Sequence, residues 1–332
     1  MPRRTSGARV APSNGRYGDP VAQSDLAHAE AGWLLERAQV PFIVIKGPAT
    51  RALLDQPTRS VGDVDLLIRP GSMTAAVDGL AARHWQPIHA GTAQNETASH
   101  SITLQQPPAG PNRTELDLHV HFPGLGAPAD RVWERLSKDV RRLEVAHRPL
   151  PVPSPAACAL LVALHAARSA ADVDKSQRDL ERAVDVVPVE VWREARELAA
   201  ELQALDAMSA GLRTAETGRH LAEQLDLSPP TSVEWIVRAE GHSSMALFLT
   251  NWWQAPLRRK APLLARELWP TTPFLRLNWL QPEQRGVRAL LWAHARRWRW
   301  LIKQVPRALR VAVSAHRAAK RSQASSSSGK RT

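Results

Sequence analysis

Gly62-Asp63-Val64-Asp65-Leu66-Leu67-Ile68 reads as a strand, closed by the turn-forming Arg69-Pro70-Gly71. Side chains two apart in a strand share a face, so Asp63 and Asp65 project together. About fifty positions on, Thr114-Glu115-Leu116-Asp117-Leu118-His119 repeats the pattern and sets Glu115, Asp117 and His119 on one face. Two such strands side by side would gather three or four carboxylates in a small space. Like charges that close are unfavourable unless a cation neutralises them. The pattern therefore implies a pair of divalent metal ions, of the kind that serves phosphoryl or nucleotidyl transfer.

Working outward, Val40-Pro41-Phe42-Ile43-Val44-Ile45 is continuously apolar and predicts a buried strand ending at Lys46-Gly47. A glycine directly after a strand lets the backbone approach a ligand phosphate. Lys46 and Arg59 are cations suited to phosphate oxygens. Pro48 suits the first turn of a helix over 49–55. Before this unit, 24–38 predicts an amphipathic helix with Leu26, Ala29, Leu34 and Leu35 as core positions. After it, a helix is expected over 72–83, with further strands over 85–88 and 99–105. Three prolines in Pro149-Leu150-Pro151-Val152-Pro153 read as a stiff linker, beyond which 156–168, 177–187, 191–205 and 214–225 read as helices.

At Lys46-Gly47, Arg59, Asp63-Val64-Asp65-Leu66-Leu67 and Glu115-Leu116-Asp117-Leu118-His119 the chain resembles the polymerase-β-like nucleotidyltransferase superfamily, and within it a poorly characterised bacterial branch. The resemblance spans residues 40–121 and extends to 160–182, where Leu164-His165-Ala166 and Asp179-Leu180 match a helical segment. It implies an α+β fold: a nucleotidyltransferase-like catalytic domain over 23–150, built on a mixed β-sheet with flanking helices, then a mainly α-helical domain over 154–320. Residues 1–22 and 321–332 are expected to be disordered.

The implied chemistry is transfer of an NMP unit from an NTP, most simply ATP, to a hydroxyl or phosphate acceptor with release of pyrophosphate. Asp63, Asp65 and Asp117 (with Glu115 as the alternative third carboxylate) would hold two Mg²⁺ ions. Gly47 would lie against the phosphates, with Lys46 and Arg59 adding charge. His119 would orient Asp117 or touch a metal or the acceptor, the first being favoured; His165, in an Ala/Leu helix, reads as a hydrogen-bonded core histidine. A peptide natural product and tRNA are the acceptor classes the resemblance leaves open. One departure stands out: Pro48 follows the glycine where the superfamily usually has Ser or Gly, and removes both a hydroxyl and an N–H.

The net charge is +12, but the 48 residues from Arg285 onward hold ten Arg and three Lys without one Asp or Glu. The remainder has 31 basic and 32 acidic residues, so the excess charge belongs to the C-terminal segment alone. There, Val287, Leu290, Leu291, Trp298, Leu301, Ile302, Val305, Leu309 and Val313 recur at helical spacing, with Pro306 expected to kink or divide the helix. The plain expectation is a helix packed on its own domain with a solvated basic face. The sharper ones are contact with a polyanion such as RNA, or with an anionic membrane surface, through 285–321. An alternative to the enzyme is a nucleotidyltransferase-fold binding module acting through this segment. A single cysteine, Cys158, excludes an internal disulfide framework, and with no leader-like N-terminus the expectation is a cytoplasmic protein.

Overall fold

The computed structural model describes residues 19–59, 62–88, 101–106, 114–168, 173–239, 244–280 and 284–328. The N-terminal part is a mixed five-stranded sheet with flanking helices, and the chain after it is mostly helical. The sheet contains β1 (Phe42–Val44), β2 (Asp63–Ile68), β3 (Gln86–Pro87), β4 (Ser101–Gln105) and β5 (Glu115–His119), in the order β1-β2-β5-β4-β3. Among the described strands of this sheet only β2 and β5 run parallel; the other pairs are antiparallel.

Alternation along β2 and β5 sorts their side chains between two faces. Val64, Leu66, Ile68, Leu116 and Leu118 are buried with Leu34 and Leu35 of α1 (Pro20–Arg37) and Leu80 of α3 (Met73–Ala81). On the opposite face, Leu67, with Ile43 of β1 and Phe122, enters a second cluster that continues through Leu160 and Leu164 of α5 (Pro155–Arg168) to Trp192 of α7 (Val189–Glu201). That second face carries the acidic residues, so the helices after the sheet form a wall opposite them. The α5 helix is almost wholly buried and packs against α6 (Val173–Val186), α7 and α8 (Leu205–Leu212). Its approach to α8 is close: a Cβ on Gly211 would stand 1.9 Å from the Ala163 carbonyl oxygen, so only glycine fits there.

The structure differs from the sequence expectations at several points. In α1 the inward stripe is Ser24, His28, Ala31 and Leu35, which turns Leu26 into solvent with 62% of its surface exposed. The proline-rich 149–153 stretch is not a free linker up to Val152: β7 (Arg148–Val152) pairs antiparallel with β6 (Arg141–Val145). Pro149 and Pro151 lie two apart, so their nitrogens point to one side of the ribbon and both missing N–H groups can face away from β6. Leu150 and Val152 are buried against the β1 side of the core. Between β5 and this ribbon lies α4 (Ala129–Lys138), a helix not anticipated from the sequence.

The remaining elements are α9 (Glu216–Gln224), α10 (Val233–Ala239), α11 (Ser244–Gln254), α12 (Leu257–Leu268), α13 (Thr272–Trp279) and α14 (Val287–Ser328). The α14 helix continues through Pro306 rather than dividing there, and runs into the Ser-rich stretch expected to be disordered. It packs on α10, α11 and α13. Its inward face is a row of small residues, Ala293, Ala308, Ala312, Ala315 and Ala319, together with Leu301. Alanines let helices approach closely, and most of the large apolar residues at helical spacing turn outward: Val287 is 72% exposed, Leu291 63% and Ile302 73%. No helix among the described residues is long and apolar enough to cross a membrane.

Candidate active site

Strand pairing brings the acidic segments together. The parallel register of β2 and β5 sets Asp63 opposite Glu115, Asp65 opposite Asp117 and Leu67 opposite His119. Ligand atoms of Asp65, Asp117 and His119 lie within 4.8 Å of one another, the spacing of donors around one ion. Asp63 is not in that tight group. It sits exposed at the start of β2, one residue pair along the same face. Neighbouring atoms still strip part of its hydration, and this, then the negative charges of Asp65, Glu115 and Asp117, pushes its carboxyl above the ordinary range.

Asp65 is the anchor. Burial alone would raise its pKa, but the Lys46 ammonium and His119 outweigh burial and hold it well below the usual carboxylate range. Lys46 Nζ donates to Asp65 Oδ1 at 2.7 Å, and His119 Nε2 lies 3.2 Å from the same oxygen. Lys46 is delivered by the end of β1, whose neighbour Ile45 donates its N–H to the Asp65 carbonyl at 3.1 Å. Gly47 follows at φ +59° and caps α2 (Pro48–Leu54), a backbone conformation that a side chain would strain. Pro48 takes the first helical position, as its fixed φ favours.

The structure adds to and changes the expected residue roles. His119 was expected to orient Asp117, but it contacts Asp65; Asp117 is held instead by Thr103, whose hydroxyl donates to Oδ1 at 2.6 Å from the opposite side, β4. Arg59, expected to add charge at the phosphates, lines the cavity beside the carboxylates and is paired there with Asp179 of α6, through Nε to Oδ1 at 2.9 Å and Nη2 to Oδ2. This two-pronged pair fastens the segment before β2 to the helical wall, as does the Arg182 Nε hydrogen bond to the Leu54 carbonyl at 3.3 Å. His121 turns away from the site and donates to the Ala127 carbonyl at 2.9 Å.

Across from the carboxylates, α5 and α6 close a cavity of about 160 Å³ lined by Lys46, Gly47, Asp63, Asp65, His165 and Lys175 among others. His165 is therefore a cavity residue, not a core histidine. Burial, aided by the Lys46 charge, lowers its pKa to about 4, so it is neutral near pH 7. Lys175 draws the Asp63 carboxyl down, and Arg168 lies within the fields of Asp117 and Asp65. Burial and the neighbouring Arg238 depress the Arg168 guanidinium. Thr103, Arg168 and Lys175 carry no local signal, because each meets the site across a separation that only the fold closes.

The donor set suits a divalent cation. It offers hard carboxylate oxygens on one face, and the mutual repulsion seen at Asp63 is what a bound cation would relieve.

A model of the family described as uncharacterised nucleotidyltransferases matches residues 25–218. The chain belongs to that family. The matched region of this nucleotidyltransferase family member holds the whole sheet, the carboxylate cluster and the helical wall, and ends before α10. Two solved structures are similar to it. One is an antigenic nucleotidyltransferase-like protein from Paracoccidioides brasiliensis, at 12% identity and TM-score 0.35, covering 57% of this chain and 91% of that one. The other is the antibiotic-resistance factor ANT(2'')-Ia, at 16% identity and TM-score 0.35, covering 56% of this chain and 93% of that one. No curated protein matches the chain.

Proposed function

We propose that the chain is a Mg²⁺-dependent nucleotidyltransferase that moves an NMP unit from an NTP to a hydroxyl or phosphate acceptor and releases pyrophosphate. The observation that carries this reading is the β2–β5 register, which sets Asp65 beside Asp117 within reach of one ion while Lys46 closes the same site from β1. Asp65 and Asp117 would hold the metal with His119 beside them, and Asp63 would join from one residue pair along the same face, next to Glu115. Bound there, Mg²⁺ would neutralise the carboxylates, orient triphosphate oxygens and make the acceptor hydroxyl easier to deprotonate.

The chain's own groups do the rest. Lys46 and Lys175 bring positive charge to the cavity where the phosphates would sit. Gly47 leaves the backbone bare at that edge. Thr103 fixes the carboxylate of Asp117, which accepts the acceptor's proton. The half-buried Arg59–Asp179 pair holds the wall in place, so that catalysis rests on positioning and electrostatics. ATP is the first nucleotide to try, and peptide natural products and tRNA are the first acceptors.

The test is incubation with each labelled NTP, Mg²⁺ and a host extract, comparing the native chain with Asp63→Asn. Label should pass from one NTP to a discrete acceptor, and the variant should transfer at least about 100-fold more slowly, since a metal contributes several kcal/mol to such a transition state. Full transfer by Asp63→Asn would remove the metal-based reading.

A further inference from the structure

The outward face of α14 lies outside the family-matched region and is unused by the site. Its exposed residues form two rows. Val287, Leu291, Trp298, Ile302, Val305 and Leu309 make an apolar row. At 100° per residue, Arg288, Arg299, Lys303, Arg310 and Arg317 make a basic row about 100° further round the helix. The alanine row facing the protein lies on the other side of the apolar one. From Val287 to Leu309 the apolar row is about 33 Å long at 1.5 Å per residue. Trp269, 65% exposed at the end of α12, extends it sideways by stacking edge-on against Trp298 at 4.9 Å. The Trp298 indole N–H is fixed on the Leu268 carbonyl at 2.9 Å, so the aromatic pair is rigid. The α12 helix itself has no buried residue, and Leu264 and Leu268 add to the exposed apolar surface.

We propose that this face of α14, with Trp269, binds the surface of an anionic lipid bilayer, the helix lying in the interface plane with its apolar row in the acyl boundary and its basic row among the headgroups. The pairing of rows decides the occupant. Aliphatic side chains such as Val287, Leu291 and Ile302 gain nothing from a nucleic acid, which recruits basic and aromatic groups and leaves aliphatic ones wet. A second copy of the chain would bring basic row against basic row, with no acidic residue between 285 and 332 to balance it. A bilayer carrying negative headgroups satisfies both rows at once, and Trp suits its boundary. The contact is peripheral, in keeping with the absence of a spanning helix among the described residues.

The test uses the full chain and sedimentation with vesicles of phosphatidylcholine alone or of equimolar phosphatidylcholine and phosphatidylglycerol. The native chain should bind the anionic vesicles and not the neutral ones. The triple variant Leu291→Glu/Ile302→Glu/Leu309→Glu, altered only at exposed positions, should bind them more than about tenfold more weakly. The charge-reversal variant Arg299→Glu/Lys303→Glu/Arg310→Glu should lose binding as well, which guards against misfolding of either variant alone. Failure of the native chain to bind anionic vesicles would overturn the proposal, and so would undiminished binding by both variants. Binding of single-stranded RNA without vesicle binding, or a dimer that the triple variant dissociates without vesicle binding, would overturn it in favour of those partners.

Discussion

Asp65 and Ile302 are both unusual for their type: the carboxylate is 6% exposed and the isoleucine 73%. Around Asp65 the protein supplies partners, Lys46 from β1 and His119 from β5, and the helical wall is bolted down by Arg59 and Asp179. Around Ile302 it supplies none of comparable kind, and the helix is held from behind by alanines. A buried charge with partners is part of the fold and of the chemistry at once, so changing it should disturb both. An exposed apolar row adds nothing to the fold, so its retention in the structure points outward to whatever covers it.

The largest expected effect comes at the buried end. His165 resists protonation in the folded state, with a pKa near 4 against 6.5 for the free side chain. Below pH 6.5 the unfolded chain takes up a proton that the folded one refuses, so stability is present above that pH and is lost as pH falls towards 4. The loss attributable to this one group is as much as about 3 kcal/mol. Chemical denaturation at pH 7 and pH 4.5 should show a smaller pH-dependent loss in His165→Gln than in the native chain; equal losses would mean that His165 is not held neutral.

Next in size is Asp65→Ala. It takes from Lys46 and His119 the carboxylate oxygen that both contact and should lower stability by roughly 2 kcal/mol, below the range for a fully buried pair because Lys46 is a quarter exposed. Urea denaturation measures it, and a loss under about 0.5 kcal/mol would erase the contrast with the surface row. Smallest is the triple change at Leu291, Ile302 and Leu309, which should shift stability by no more than about 0.5 kcal/mol per site. A cooperative loss of several kcal/mol would show that the row packs on the protein after all.

The two ends also differ in how legible they were. The bounds of β2 and its acidic face were readable because an apolar run, a turn and a period of two all agree at 62–71. The mixed sheet and the helical continuation followed from the resemblance that these residues carry. The β6–β7 ribbon was hidden because Pro149 and Pro151 read as strand breakers, and only pairing on one side makes them tolerable. In α14 the rule that large apolar residues face inward failed, because alanine spacing decides close helix contact and is inconspicuous in an alanine-rich sequence. The gathering of Asp65 and Asp117 was anticipated, whereas their supports were not: Thr103 is 14 residues from Asp117 and Asp179 is 120 from Arg59. Such partners are set by register and docking, which no local pattern encodes.

The most direct test of the central claim needs no knowledge of the acceptor. Calorimetric titration of ATP into the native chain and into Asp117→Asn, each with Mg²⁺ and with EDTA, asks whether the β2–β5 pair holds a metal beside a nucleotide. The substitution keeps an oxygen for the Thr103 hydroxyl, so the fold should be undisturbed. Binding that requires Mg²⁺ in the native chain, and that is weakened at least about tenfold in the variant, is the expected result. Equal ATP binding by both proteins, indifferent to EDTA, would contradict it.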